Sequence, residues 1–216
     1  MIIADPKTHD EWLECRKKGI GGSDAACVLG MNKYKSNVQL WKEKTGILHP
    51  KDISDKPAVA YGKNAESHLR ELFALDFPNY DIKYHEYRMY GNDKYPFIYA
   101  TLDGELTDKN TNSKGILEIK TTTINNSTQW SKWNGEIPQN YYIQVLHQML
   151  ATGYEFVILK AHIRYFKNGD LYVSTRHYSI NRDDEKESMD MLLKSEIEFW
   201  EHVQNKSEPA LILPEI

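Results

Sequence analysis

A chain of 216 residues, 40% hydrophobic and 12% aromatic, carries enough apolar surface for one packed core, which excludes a disordered or low-complexity protein. No apolar run approaches the roughly 20 residues that a bilayer-spanning helix needs. The start Met1-Ile2-Ile3-Ala4-Asp5-Pro6 lacks the basic opening and long apolar stretch of a secretory signal. Cys15 and Cys27 are the only thiols, too few for a four-thiolate metal centre or a secreted disulfide framework, so a soluble, cytoplasmic protein in a reducing compartment is expected. The net charge of −4 argues against a non-specific coat for nucleic acid, although a carboxylate-rich centre would itself lower the sum.

Thr8 and Glu11 have the spacing of a capping box and predict a helix running to Lys18 and stopping at Gly19. Gly19-Ile20-Gly21-Gly22-Ser23-Asp24 reads as a flexible turn, with Ser23 capping a short helix, Ala25 to Leu29, that ends at Gly30. Ser36 with Gln39 starts another helix through Trp41, stopping near Gly46, and His49 to Lys56 is loop. Pro57 suits the first turn of a long helix reaching about Asp76, with Pro78 beyond its end. Strands are expected at Ile82 to Tyr90, Phe97 to Asp103, Gly104 to Thr107 and Ile116 to Thr122, with a polar turn at Asp108 to Ser113. A short helix, Ser127 to Trp133, precedes a longer one that opens at Ile137-Pro138, continues through Ala151 and closes at Gly153. Glu155 to Phe166 and Leu171 to Ile180 form a hairpin around Lys167-Asn168-Gly169-Asp170. A charged helix, about Asp183 to Asn205, comes last; its Asp183-Asp184-Glu185 start suits the helix dipole. With no repeat and no linker rich in Pro, Gly or Ser, this order describes a single domain over 1–216, an α+β or mixed α/β sandwich.

The chemistry-bearing stretch is Asp103 followed by Glu118-Ile119-Lys120. On a strand, alternate residues share a face, so Glu118 and Lys120 point one way and Ile119 points into the core. Gly104 permits a bend or bulge after Asp103. If the two strands are antiparallel neighbours, Asp103 sits beside Glu118, and two like charges so close call for a cation. Paired carboxylates can hold a hard ion such as Mg²⁺, and a lysine can steer or deprotonate water beside it: the equipment of a phosphodiesterase. Taken alone, Glu-x-Lys also fits an ordinary exposed strand pair.

Arg16 with Gly19-Ile20-Gly21-Gly22-Ser23-Asp24, then Gly62-Lys63-Asn64-Ala65-Glu66, Asp103-Gly104, Glu118-Ile119-Lys120 and Tyr141-Tyr142-Ile143-Gln144-Val145 occur in one order. That series resembles the lambda-exonuclease/YqaJ-type viral recombinases of the PD-(D/E)xK nuclease superfamily, over roughly residues 10 to 165. The resemblance implies a central mixed sheet flanked by helices, a restriction-endonuclease-like nuclease core. It also implies Mg²⁺- or Mn²⁺-dependent 5′→3′ digestion of one strand at double-stranded DNA ends, for recombination beside a single-strand annealing protein. Relatives include ring-shaped trimers, so a homo-oligomer is expected. By the same resemblance Asp103 and Glu118 would be metal ligands, with the Ile119 carbonyl as a third. Lys120 would position the attacking water, Glu66 would assist a metal or its water, and Gln144 would join the centre from the following helix. Arg16, Ser23 and Thr101 would contact the terminal phosphate or DNA backbone, with Tyr141 touching DNA. A helix N-terminus after Gly21-Gly22 offers N–H groups to an anion. Leu102 stands where the superfamily's motif has proline before the acid; only the carboxylate touches the metal.

Each of these residues also has a structural reading. Glu66 shares a helix face with Gly62, and the small face of Gly62 and Ala65 admits DNA or a strand. Lys120 can be a plain salt-bridge partner of Glu118, Arg16 a helix-end charge, and Gln144 a core amide. His147 and Gln148, one turn on, read as core hydrogen-bonding groups, and Tyr142 as packing. Trp12, Trp41, Trp130, Trp133 and Trp200 read mostly as core or interface. The rival functions are an endonuclease or repair nuclease on the same core, a catalytically inactive DNA-binding protein, and a sugar hydrolase, for which the lysine would be unexplained.

Overall fold

The strands divide between two sheets, and the chain passes from one sheet to the other at Asp103. The computed structural model describes residues 1–213. In chain order the elements are β1 (Ile2–Ala4), α1 (His9–Arg16), α2 (Gly22–Val28), α3 (Asn37–Lys44), α4 (Pro57–Asp76), β2 (Tyr80–Lys83), β3 (Met89–Gly91), β4 (Tyr99–Ala100), β5 (Gly104–Asp108), β6 (Lys114–Ile124), α5 (Ser127–Ser131), α6 (Gln139–Thr152), β7 (Phe156–Lys167), β8 (Asp170–Asn181) and α7 (Lys186–Gln204). The larger sheet has the order β2-β5-β6-β7-β8, and only β6 and β7 pair in parallel, across the α6 connection. A small antiparallel sheet, β1-β3-β4, lies apart from it.

Side-chain alternation along β6 decides what covers each face. Leu117 and Ile119 pack with Leu69 and Phe73 of α4, whereas Ile116 packs with α2, α6 and α7 through Ala25, Val145, Met149 and Leu192. The result is the expected mixed α+β sandwich, with helices on both faces of a mixed sheet. The Gly62 backbone comes so close to β6 that a Cβ there would lie 3.0 Å from Thr121 Oγ1. The small helix face thus admits a strand.

Local signals hold where they are self-contained. Ser36 and Gln39 form a reciprocal capping box, Pro57 opens α4, and Gly153 closes α6 in the left-handed region. The β7–β8 turn places Asn168 and Gly169 at φ 55° and 88°, the pair of positive angles a tight hairpin needs.

Several expectations change, among them the Thr8–Glu11 capping box, whose Glu11 carboxylate takes the Lys7 N–H instead. The strand expected over Ile82 to Tyr90 splits, because its first residues pair with β5 and its last with β1 and β4. The Phe97 to Asp103 strand shrinks to two residues, because Phe97 O and Tyr99 N are bonded to Ile20 and the chain must then leave for β6. Ser23 does not cap α2. Gly21 does, with the Asp24 carboxylate accepting its N–H at 3.2 Å.

Candidate active site

A cavity of about 270 Å³ opens where β5 and β6 meet α2, α4 and α6. Arg16, Ser23, Glu66, Thr101, Asp103, Glu118, Ile119, Lys120 and Gln144, scattered along the sequence, all line it. Tyr141 does not; its ring lies behind Lys120, 5.1 Å from Nζ. Trp12, Tyr99 and Gln148 join the lining although their sequence context marked none of them for it.

Asp103 precedes Gly104, whose register partner is Leu117. The backbone ladder stops there, and the Asp103 carboxylate takes the Ile119 N–H at 2.8 Å. This bond brings the acid to the strand that carries Glu118 and Lys120. Glu118 is buried and fully engaged: Lys120 Nζ lies 2.5 Å from Oε1, Gln144 donates to Oε1 at 2.7 Å, and Gln148 donates to Oε2 at 2.6 Å. A buried carboxylate is stable only with such partners. The core reading of Gln148 is therefore corrected: its amide serves Glu118. The core reading of His147 fits its place, buried between Glu196 Oε1 at 2.5 Å and the Tyr99 carbonyl at 2.8 Å.

Glu66 reaches the cavity from α4, with Arg70 one turn further along. Arg70 donates to Glu66 Oε1 and to the Asp103 carbonyl, both at 2.6 Å, and its guanidinium stacks 3.5 Å from the Tyr84 ring centre. One arginine therefore ties the helical acid to the bend that presents Asp103. The i,i+4 spacing of Glu66 and Arg70 is a sequence signal for this pair.

On the opposite wall, the Arg16 guanidinium lies 4.7 Å from the centre of the Trp12 ring and donates to Ser23 Oγ at 3.1 Å. Asp24 stands behind, 4.0 Å from Arg16 and 2.8 Å from the buried Lys44 ammonium. Because Asp24 takes the Gly21 N–H, that donor is spent within α2 and is not offered to an anion.

The electrostatics are those of crowded acids. Burial, then the neighbouring Glu118 and Glu66 charges, raises the Asp103 pKa well above the ordinary carboxylate range. Burial also raises Glu66, against the pull of Arg70. Burial opposes charge on Lys120, but Glu118 and Asp103 outweigh it and hold its pKa above the usual lysine value. The walls combine an excess of carboxylate with a firmly protonated lysine.

This architecture is the nuclease fold of solved exonucleases. The alkaline exonuclease LHK-Exo of Laribacter hongkongensis matches with a TM-score of 0.69 at 19% identity, covering 92% of this chain and 94% of that one. A phage-related exonuclease of Haemophilus somnus 129PT matches with a TM-score of 0.56 at 11% identity, over 87% and 96% of the two chains. At these identities the likeness establishes the fold. Residues 11–155 match the YqaJ-like viral recombinase domain, and the chain belongs to that family. The uncharacterized protein YqaJ of Bacillus subtilis strain 168 is 37% identical over 207 residues, 94% of this chain and 59% of that protein, so the chain spans under two thirds of this relative's length. Among the described residues no helix is long and apolar enough to cross a membrane.

Proposed function

We propose that the chain is a Mg²⁺- or Mn²⁺-dependent exonuclease that degrades one strand of linear duplex DNA in the 5′→3′ direction, exposing 3′ single strand for recombination. One observation carries this reading: Asp103, Glu118 and Lys120 share one cavity with Arg16 and Ser23. Acids suited to a metal thus face a cation suited to a phosphate.

The donor set fits a hard divalent cation. It consists of carboxylate oxygens from Asp103 and Glu118, the Ile119 carbonyl and, from α4, Glu66, with no thiolate or imidazole. No ready-made cluster of three acidic, His or Cys ligands exists among the described residues. Mg²⁺ keeps several waters and binds through one or two carboxylates plus substrate phosphate oxygens, so Asp103 and Glu118 suffice for it. The raised proton affinity of Asp103 is the strain such an ion relieves. An ion held there would supply Lewis-acid polarisation of the scissile phosphate and would acidify a water.

The protein's own groups do the rest. Lys120 orients the attacking water and keeps its proton at neutral pH, so its part is positioning and charge. Tyr141, set behind it, holds the ammonium by a cation–π contact and reaches DNA only beside that lysine. Gln144 fixes Glu118 Oε1, and Glu66 orients water from the helix side. Arg16 and Ser23 bind the terminal phosphate, Arg16 as a charge-assisted donor, and Thr101 lines the same cavity. A homo-oligomeric ring and a single-strand annealing protein as partner complete the proposal.

The test is a digestion time course with Mg²⁺ or Mn²⁺ on linear and circular duplexes. The expected result is loss of linear DNA only, from 5′ ends, and no reaction in chelator. Nicking of closed circles would make the chain an endonuclease, and metal-independent cleavage would refute the proposed centre.

A further inference from the structure

We infer that Gln148 is a positioning residue for Glu118, a role that rests on the metal-dependent reading above. The two oxygens of Glu118 are held unequally. Oε1 is shared by Gln144 and Lys120, both half-buried. Oε2 is held by Gln148, whose side chain is 1% exposed. Among the described residues the Gln148 amide makes no other hydrogen bond, and its own carbonyl oxygen is buried without a partner.

That orphaned oxygen is informative. An unsatisfied buried acceptor is a cost that a methionine of similar volume would not carry. Flipping the amide would turn its oxygen toward a carboxylate and remove the one bond it has. The side chain is thus oriented by Glu118 alone. With Gln148 gripping Oε2 from the interior, the carboxylate keeps its orientation when Lys120 and Gln144 rearrange around Oε1. Partners of this kind set the direction of a metal-binding carboxylate, and their removal costs about ten- to a hundredfold in metal affinity or activity. Gly22 lets α2 lie close against both side chains: a Cβ there would lie 3.2 Å from Gln144 Cγ and 3.5 Å from Gln148 Cγ.

The experiment measures Mn²⁺ binding to the whole chain by electron paramagnetic resonance of the free ion, with kcat and KM on a linear duplex alongside. Gln148→Met keeps volume and removes the donor. Gln148→Asn keeps an amide but is one methylene short, and it serves where the methionine variant does not fold. Either variant should bind Mn²⁺ about ten- to a hundredfold more weakly, with kcat lowered and KM for DNA unchanged. A folded variant that binds Mn²⁺ as the parent does, even with a lowered Tm, overturns the inference and makes Gln148 merely structural. A parent chain that binds no Mn²⁺ overturns the metal-dependent reading and this inference with it.

Discussion

Asp24→Asn tests how the Arg16 side of the cavity is anchored. The carboxylate accepts the Gly21 N–H and lies 2.8 Å from Lys44. Burial alone would raise its pKa, but Lys44 and then Arg16 bring it from the ordinary 3.8 down to about 2. At 1.36 kcal/mol per tenfold change, that difference corresponds to about 2 kcal/mol of stability. The folded value lies below the unfolded one. The contribution is therefore fully present above pH 3.8, and it is lost as the pH falls through 2. Asparagine copies the protonated acid, so the variant should unfold about 2 kcal/mol more easily in urea at pH 7, and by about half that at pH 3. It should also loosen Arg16, weakening DNA binding more than hydrolysis of bound DNA. A urea midpoint equal to the parent's at pH 7, or a deficit unchanged between pH 7 and pH 3, would refute the ion-pair account.

Glu118→Gln and Lys120→Ala should each abolish digestion of linear duplex while a gel-shift assay in chelator finds DNA binding largely intact; normal digestion by either removes the assigned role. Arg16→Ala should erase the preference for a 5′-phosphate over a 5′-hydroxyl end, read as the ratio of initial rates. Equal slowing on both ends would instead mean that Arg16 acts on the fold. Arg70→Ala strips donors from Glu66 and from the Asp103 carbonyl and should cost about 1–3 kcal/mol in chemical denaturation, with a fall in kcat. An unchanged denaturation midpoint would contradict the tie between helix and bend.

Elements bounded by local chemistry were readable from the sequence, and those defined by distant partners were not. Pro57, the Ser36–Gln39 box and Asn168-Gly169 act on their own neighbours, and α4, α3 and the β7–β8 hairpin follow from them. Nothing near Phe97 announces that Ile20 will claim its backbone. Nor does the stretch from Ile82 to Tyr90 show that its ends belong to different sheets. In the site, strand alternation was enough to put Glu118 and Lys120 on one face. Gln148 was not legible because a glutamine on an apolar helix face looks the same whether it bonds the core or an acid one layer below. Trp12 and Tyr99 enter the cavity through tertiary packing. The Glu66–Arg70 pair was within reach of the i,i+4 rule.

The site has two chemically opposed ends, and one helix couples them. Gln144 and Gln148 bond Glu118 with their amides and meet α2 with their methylenes, while α2 carries Ser23, the partner of Arg16. The distance between Glu118 and the Ser23–Arg16 pair is therefore governed by packing among β6, α6 and α2. Such rigidity is what in-line attack on a phosphate needs, because misplacement by an ångström is enough to lose most of the rate. It also explains why a crowded set of carboxylates is tolerated here. The Ile119 N–H on Asp103 and the Lys120, Gln144 and Gln148 bonds to Glu118 hold the two acids in place against their repulsion, and under the proposed reading that repulsion would favour a cation between them.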